Sequence, residues 1–149
     1  MKEHTYTAFS VAKVFCELSD WNITNLKLQK LTYLAQMTYM GFNEGERLID
    51  DDFEAWQYGP VNKNLYTRLS AFGSKPVLNV FKHDENLCTT HRDHVNKVFN
   101  TFGSMDSWRL VEITHRKGGA WDKTYNPIIA MKNIISDQSI MDEFYLYND

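Results

Sequence analysis

The segment from Thr24 to Met40 constrains the fold more than any other part of the chain, because as a helix it is apolar on most sides. Thr24 is a candidate N-cap, and Gly41 can end the helix. At about 100° per residue, the apolar side chains form two arcs. These are Leu28, Leu31, Leu34, Ala35 and Tyr39 on one side and Leu26, Tyr33, Met37 and Met40 on the other, with Gln29, Thr32 and Gln36 as a polar strip. Such a helix is packed on several sides, so we predict a helical bundle around it.

Shorter apolar stripes predict further helices around this central one. They cover about residues 6–18, 60–72, 91–102, 104–115 and 136 onwards. The stretch FEAWQYGPV, residues 53–61, predicts a short extended segment followed by a turn at Gly59. Pro60 then suits the first position of a helix, where its missing N–H costs nothing.

Two connecting segments complete the prediction. Residues 74–88 fit one or two short strands or an irregular loop, and residues 120–127 fit a loop that holds Trp121. The predicted fold class is therefore mainly α, an α+β chain with a minor short-strand element. The length fits one compact domain over residues 1–149.

The charge balance and the distribution of apolar residues narrow the functional classes. Lys and Arg number 16 against 19 Asp and Glu, for a net charge of −3, which argues against nucleic acid as a partner. There is no apolar run of about 18 residues, as a membrane span needs. The cysteines, Cys16 and Cys88, do not resemble a disulfide framework, so we expect free thiols and a cytoplasmic protein.

Four neighbouring residues could suggest a metal site. They are His83, Cys88, His91 and His94. Structural zinc is normally held by four ligands at paired spacings, and this set has no second cysteine. We therefore predict no metal and a solvated helix that carries histidines.

His115 is the strongest candidate for a catalytic group. It shares a helix side with Val111, so it is predicted to be half-buried and hydrogen-bonded to the backbone or to Thr114. A general base needs an acid and a nucleophile within reach, and no spacing selects one. The candidates would be Asp122, Glu112 and Cys16. Nucleophile-elbow, Walker, Rossmann and HExxH patterns are absent. We therefore expect that the protein is not an enzyme and has neither catalytic residues nor a cofactor.

Lysine and aromatic positions leave two questions open. Lys27 projects within the broad apolar arc, where it either extends its ammonium to water or pairs with Glu54 or with one of the acids at residues 50–52. The aromatic residues Trp56, Tyr58, Trp108 and Trp121 are either core residues or binding hot spots.

Two motifs resemble the Panacea-domain family. They are NLKLQKLTYLAQMTYM, residues 25–40, and FEAWQYGPV, which match a KLQKLxYxA helix and an (E)AWxxGPV corner. The matching residues are Leu26, Lys27, Leu28, Gln29, Lys30, Leu31, Tyr33 and Ala35 in the helix and Ala55, Trp56, Tyr58, Gly59, Pro60 and Val61 in the corner. LVEITHRKGGAW, residues 110–121, is similar to a looser third element through Thr114, His115 and Trp121. Ala120 departs from the proline that the family often has there.

The resemblance implies a function. Members of the family are antitoxins of bacterial and phage toxin–antitoxin pairs, and they neutralise unrelated toxins by direct protein contact. The motif residues would then be structural or partner-binding, and the partner would be a protein toxin encoded by an adjacent gene. The alternatives are a proteolytic adaptor that delivers its partner to a cytoplasmic protease, a mobile-element interaction protein of unknown role, and a small hydrolase that uses His115. A homo-oligomer stays open.

Overall fold

Helices dominate the computed structural model, which describes residues 4–129 and 132–147. The helices are α1 (Ala8–Leu18), α2 (Asn25–Phe42), α3 (Lys63–Leu69), α4 (Thr89–Phe102), α5 (Ser107–Thr114), α6 (Ala120–Thr124) and α7 (Asp137–Tyr147), with a 3₁₀ turn at Ser70–Phe72. The strands are β1 (Glu54–Trp56), β2 (Gly59–Val61) and β3 (Asn133–Ile134). The predicted fold class, mainly α with a minor strand element, is confirmed.

Helix α2 is the centre of the fold, as predicted. Thirteen of its eighteen residues are buried, and α1, α3, α4, α5, α7 and β2 all pack against it. The Thr24 hydroxyl accepts a hydrogen bond from the Lys27 N–H and caps its start. Gly41 does not end the helix, which continues to Phe42. A Cβ at Gly41 would come within 2.2 Å of the Phe144 ring, so this glycine permits the close approach of α7.

The polar strip of α2 is buried and binds backbone groups of neighbouring segments. The Gln36 side chain accepts from the N–H groups of Leu48 and Ile49 and donates to the Ile49 carbonyl. Gln29 accepts from the Asn62 N–H. These amides satisfy buried backbone groups of irregular segments, which would otherwise carry a desolvation cost. The strip therefore holds the chain on both sides of the hairpin to the central helix.

Strands β1 and β2 form an antiparallel hairpin, and β3 pairs with the other edge of β1, so the strand order is β2-β1-β3. Ala55 lies opposite Pro60. The prediction that Pro60 opens a helix is wrong, because the proline lies in the edge strand, where its missing N–H breaks no ladder bond. Asn62 caps α3 instead, by accepting from the Leu65 N–H. Helix α3 therefore begins at Lys63.

Three further boundaries refine the sequence predictions. Residues 74–88 form no strand, so the irregular loop is the correct one of the two predicted alternatives. Residues 120–127 are not all loop, because α6 places Trp121 on a helical turn that the Thr124 hydroxyl stabilises by donating to the Ala120 carbonyl. Asp106 caps α5 through the Arg109 N–H. Among the described helices, none is long and apolar enough to cross a membrane.

Candidate functional site

The three motif segments meet at one place in the fold. The first half of α2 lies against the β1–β2 hairpin, and the junction of α5 and α6 packs against both. Lys30 is at the centre of this meeting point and has no exposed surface. Its ammonium donates a hydrogen bond to the Pro60 carbonyl oxygen over 3.0 Å. The side chain therefore joins the central helix to the hairpin.

Gly59 lies directly against the Lys30 side chain. Its φ is +112°, a conformation that side-chain-bearing residues rarely adopt. A Cβ at this position would lie 3.0 Å from Lys30 Cε, 3.1 Å from Lys30 Nζ and 3.1 Å from Thr114 Oγ1. Both the backbone conformation and the space therefore require glycine here, and this brings the hairpin close to α2 and α5.

Burial changes the titration of the groups at this meeting point. It lowers the pKa of Lys30 to about 7, because the surrounding protein disfavours the ammonium. The pKa of His115 is also lowered, first by burial and then by the charge of Lys30. His115 is therefore mostly neutral near pH 7, although the Tyr58 backbone acts against this lowering.

Aromatic stacking holds the α5–α6 junction. The His115 ring is stacked on Trp121 with centroids 3.6 Å apart, and Trp121 is stacked on Tyr125. The Trp121 indole N–H donates to the Trp56 carbonyl oxygen over 2.6 Å. The prediction that His115 is half-buried is confirmed. Its Nε2 is buried and has no hydrogen-bond partner among the described residues.

A groove of about 490 Å³ opens beside this cluster, between the start of α2 and the hairpin. Its apolar surface comes mainly from Leu26, Val61, Trp56, Tyr58 and Tyr66, and its polar lining includes Lys30, Lys132 and the side chains of Asn25, Gln29, Gln57, Ser70 and Ser74. The Trp56 ring packs against Tyr66 with centroids 4.9 Å apart. A mostly apolar wall with a few polar groups is typical of binding sites. The motif residues therefore build both the scaffold and the lining of the groove.

The structure separates the aromatic residues that the sequence left undecided. Trp121 and Trp56 are half-buried. Tyr58 and Trp108 are 51% and 58% exposed and meet edge to face, with centroids 5.7 Å apart. This pair extends the aromatic surface of the groove toward α5.

Comparisons with known proteins identify the family. The family model described as Antitoxin SocA-like, Panacea domain, matches residues 28–122, which is more than half of the chain. The chain belongs to the SocA-like Panacea-domain family. Antitoxin SocA of Caulobacter vibrioides (strain NA1000 / CB15N) is 35% identical over 118 residues. That match covers 72% of this chain and 62% of the relative, so the chain spans less than two thirds of the relative's length. No solved structure matches the chain significantly.

Within this Panacea domain, Lys27 has a different partner from those predicted. Its ammonium donates to the Gly103 carbonyl oxygen over 2.6 Å, at the end of α4, where a cation is favourable. Glu54 accepts instead from the Trp56 indole N–H. Of the three aspartates, Asp52 pairs with Arg47 at 2.9 Å. Of the two alternatives for Lys27, pairing with one of these carboxylates is therefore excluded.

Among the described residues, the buried lysine is Lys30. The sequence interpretation named it as a motif residue but did not predict that it is buried. A signal was present, because Lys30 lies on the second apolar arc of α2, four residues after Leu26 and three before Tyr33. Helical spacing therefore placed it among buried side chains. What the sequence could not show is that a backbone carbonyl of the hairpin, rather than a carboxylate, faces the ammonium.

Tyr33 anchors the C-terminal helix of the Panacea domain. Its hydroxyl donates to the carboxylate of Glu143, which is buried on α7. Burial raises the pKa of Glu143, while the Tyr33 hydrogen bond and the Arg116 guanidinium, 3.6 Å away, act against that rise. Arg116 also lies over the Tyr147 ring, 3.7 Å from its centroid. This motif residue therefore has a structural partner outside the motifs.

The histidines of α4 pack onto α2, so the prediction of a solvated helix is wrong. His91 is buried and its Nδ1 lies 2.9 Å from the Tyr6 hydroxyl and 3.2 Å from Cys88 Sγ. His94 Nε2 lies 3.1 Å from the Ala35 carbonyl oxygen. Across residues 4–129 and 132–147, no three His, Cys, Asp or Glu side chains are placed to hold a metal ion.

The candidate catalytic partners of His115 are engaged elsewhere. The Asp122 carboxylate accepts from the Gly118 N–H, and Glu112 pairs with Arg109 on the surface. Cys16 is buried, and burial raises the pKa of its thiol to about 12. Cys16 and Cys88 are both free thiols, as predicted.

Proposed function

We propose that this protein is an antitoxin that neutralises a protein toxin by direct contact. The observation that carries the proposal is the family match over residues 28–122, supported by the 35% identity to Antitoxin SocA. In the same proposal, the toxin is encoded by an adjacent gene, the protein acts in the cytoplasm, and it binds its partner without catalysing a reaction.

The geometry of the motif residues supports a binding role. Lys30, Gly59 and Trp121 hold the hairpin in one arrangement, so little conformational freedom is left to lose on binding. Beside this rigid corner, Tyr58 and Trp108 are exposed. Tyrosine and tryptophan are enriched at protein–protein hot spots because each adds a large rigid contact area. We therefore place the toxin contact on the groove and this aromatic pair.

Co-expression with the neighbouring gene tests the proposal. The neighbouring product alone should stop growth, the protein should restore growth, and the two should co-purify. The Trp108→Ala variant should restore growth less well, whereas Leu78→Ala, a matched loss of an exposed apolar side chain, should protect like the wild type. A harmless neighbour, or a lethal one that this protein does not silence, would contradict the proposal.

The same assay separates occlusion from delivery to a protease. Protection that persists in a host lacking its ATP-dependent cytoplasmic proteases supports neutralisation by contact alone. Protection that is lost in that host, together with a longer lifetime of the toxin, supports the adaptor alternative.

A further inference from the structure

The charge around the groove is unusual for this protein. The chain has a net charge of −3, yet the charged residues that line the groove are Lys30 and Lys132, and no described lining residue is a carboxylate. Glu54 keeps its charge beside the groove, but its carboxylate accepts from the Trp56 indole N–H and lines a separate cavity with the aspartates at residues 50–52. Clefts lined by one sign of charge with apolar walls concentrate their field on a ligand. The groove therefore favours an anion.

No carboxylate of the described residues pairs with Lys30. Its ammonium contacts the Pro60 carbonyl oxygen of β2, and its charge acts on His115 at the end of α5. The end of the Lys30 side chain and the Thr114 hydroxyl both lie close to Gly59. A lowered pKa keeps His115 neutral near pH 7, so the ring neither balances nor opposes the ammonium, and burial is the cause that lowers the pKa of Lys30. A buried cation without a carboxylate is costly. Because Lys30 has no exposed surface, an anion bound in the groove would not touch its ammonium. Its electrostatic attraction would still reduce that cost.

We propose that the groove binds an acidic segment of the partner protein, with an apolar or aromatic side chain between Leu26, Val61 and Tyr66 and a carboxylate beside Lys132. The volume of about 490 Å³ suits a few side chains. Trp56 and Tyr66 provide flat apolar surfaces, and Lys132 lies 5.7 Å from the Trp56 ring centroid, at the edge of the groove. This inference rests on the proposed function, because the segment would belong to the toxin.

Binding and proton uptake are linked in this arrangement. A carboxylate in the groove favours the ammonium form of Lys30, so an acidic ligand should bind more tightly as the pH falls toward the pKa of Lys30. The Lys30→Met variant should lose this dependence. A neutral ligand should show no such dependence with either protein.

A peptide titration tests the groove directly. The probes are N-acetyl-Phe-Asp-Asp-amide and its neutral counterpart N-acetyl-Phe-Asn-Asn-amide, followed by Trp fluorescence and amide chemical shifts. The acidic peptide should bind about fivefold more tightly and should shift the amides of Leu26, Trp56 and Tyr66. The Lys132→Glu variant should remove the preference. Lys97→Glu, which reverses an exposed lysine beside a separate cavity on α4, should retain it.

The outcomes separate the two proposals. Equal affinity for the two peptides, shifts outside the groove, or an unchanged preference in Lys132→Glu would overturn the groove inference, even if the protein still silences its neighbour. A groove that prefers the acidic peptide while the neighbouring product is harmless or unaffected would refute the antitoxin proposal alone. Support for both requires that Lys132→Glu loses the peptide preference and protects cells less well than Lys97→Glu.

Discussion

Lys30 donates a hydrogen bond from a fully buried ammonium to the carbonyl oxygen of Pro60, 3.0 Å away. The contact joins two motifs that lie thirty residues apart in the chain. Because the acceptor is a backbone carbonyl, it compensates only part of the cost of burying the charge. Stability should therefore depend on the protonation of this one lysine.

The first prediction concerns the pH dependence of Lys30→Met. The pKa of Lys30 is lowered to about 7 by folding, so above that pH the unfolded chain holds a proton that the folded protein has released. Wild-type stability should rise with pH in this window by up to about 1.4 kcal/mol per pH unit relative to the methionine variant. Urea unfolding from about pH 6 to about pH 9 measures this difference.

The matched control is Lys132→Met, which removes an exposed lysine. Its stability difference from the wild type should stay flat over the same range, because folding leaves that side chain in water. Parallel curves for wild type and Lys30→Met would mean that the buried ammonium does not titrate in this window.

The second prediction compares two glycines with positive φ. Gly59→Ala should destabilise the protein by more than about 2 kcal/mol, because the alanine adds both backbone strain and a clash with the Lys30 side chain. Gly45→Ala, at φ +88° with nothing within 4 Å of the added Cβ, should cost about 1 kcal/mol. Thermal unfolding of both variants isolates the steric part. Equal losses would show that Lys30 moves aside without cost.

The third prediction concerns the hydrogen bond between Trp121 and Trp56. Trp121→Phe keeps a ring against His115 but leaves the Trp56 carbonyl without its indole donor, so a loss of about 1 kcal/mol is expected. Trp108→Phe, at a 58% exposed position, should change stability by less than about 0.5 kcal/mol. Denaturant midpoints measure both. A neutral Trp121→Phe would indicate that stacking alone holds the junction.

The fourth prediction addresses catalysis by His115. His115→Phe keeps the stack on Trp121 and removes any acid–base chemistry. If the protein is a binder, the variant should restore growth beside the toxin as well as the wild type does. Loss of protection in a variant with an unchanged melting temperature would revive the hydrolase alternative.

Local sequence patterns were sufficient for much of the fold. The two apolar arcs of α2 identified the central helix because helical spacing directly reports which side chains share a face. They were not sufficient at Pro60, where a helix start and an edge strand both tolerate a missing N–H. The choice between them depends on β1 and on Lys30, which contact Pro60 from elsewhere in the chain.

The candidate site shows the same division. The motifs named Lys30, Gly59 and Trp121, and the structure brings all three to one corner. Their spacing could not indicate that Lys30 is the buried cation or that Lys27 instead binds the Gly103 carbonyl. The exposed Lys132 lies outside the motifs, so no motif could assign it to the groove.

The amino-acid sequence by itself determined the helical class, the central position of α2 and the family motifs, because periodicity and motif spacing are properties of neighbouring residues. Only the tertiary structure decided which lysine is buried, which aromatic residues face solvent and that Lys30 and Lys132 come to line one groove. The reason is that burial and local charge depend on segments distant in sequence, which only tertiary packing brings into contact.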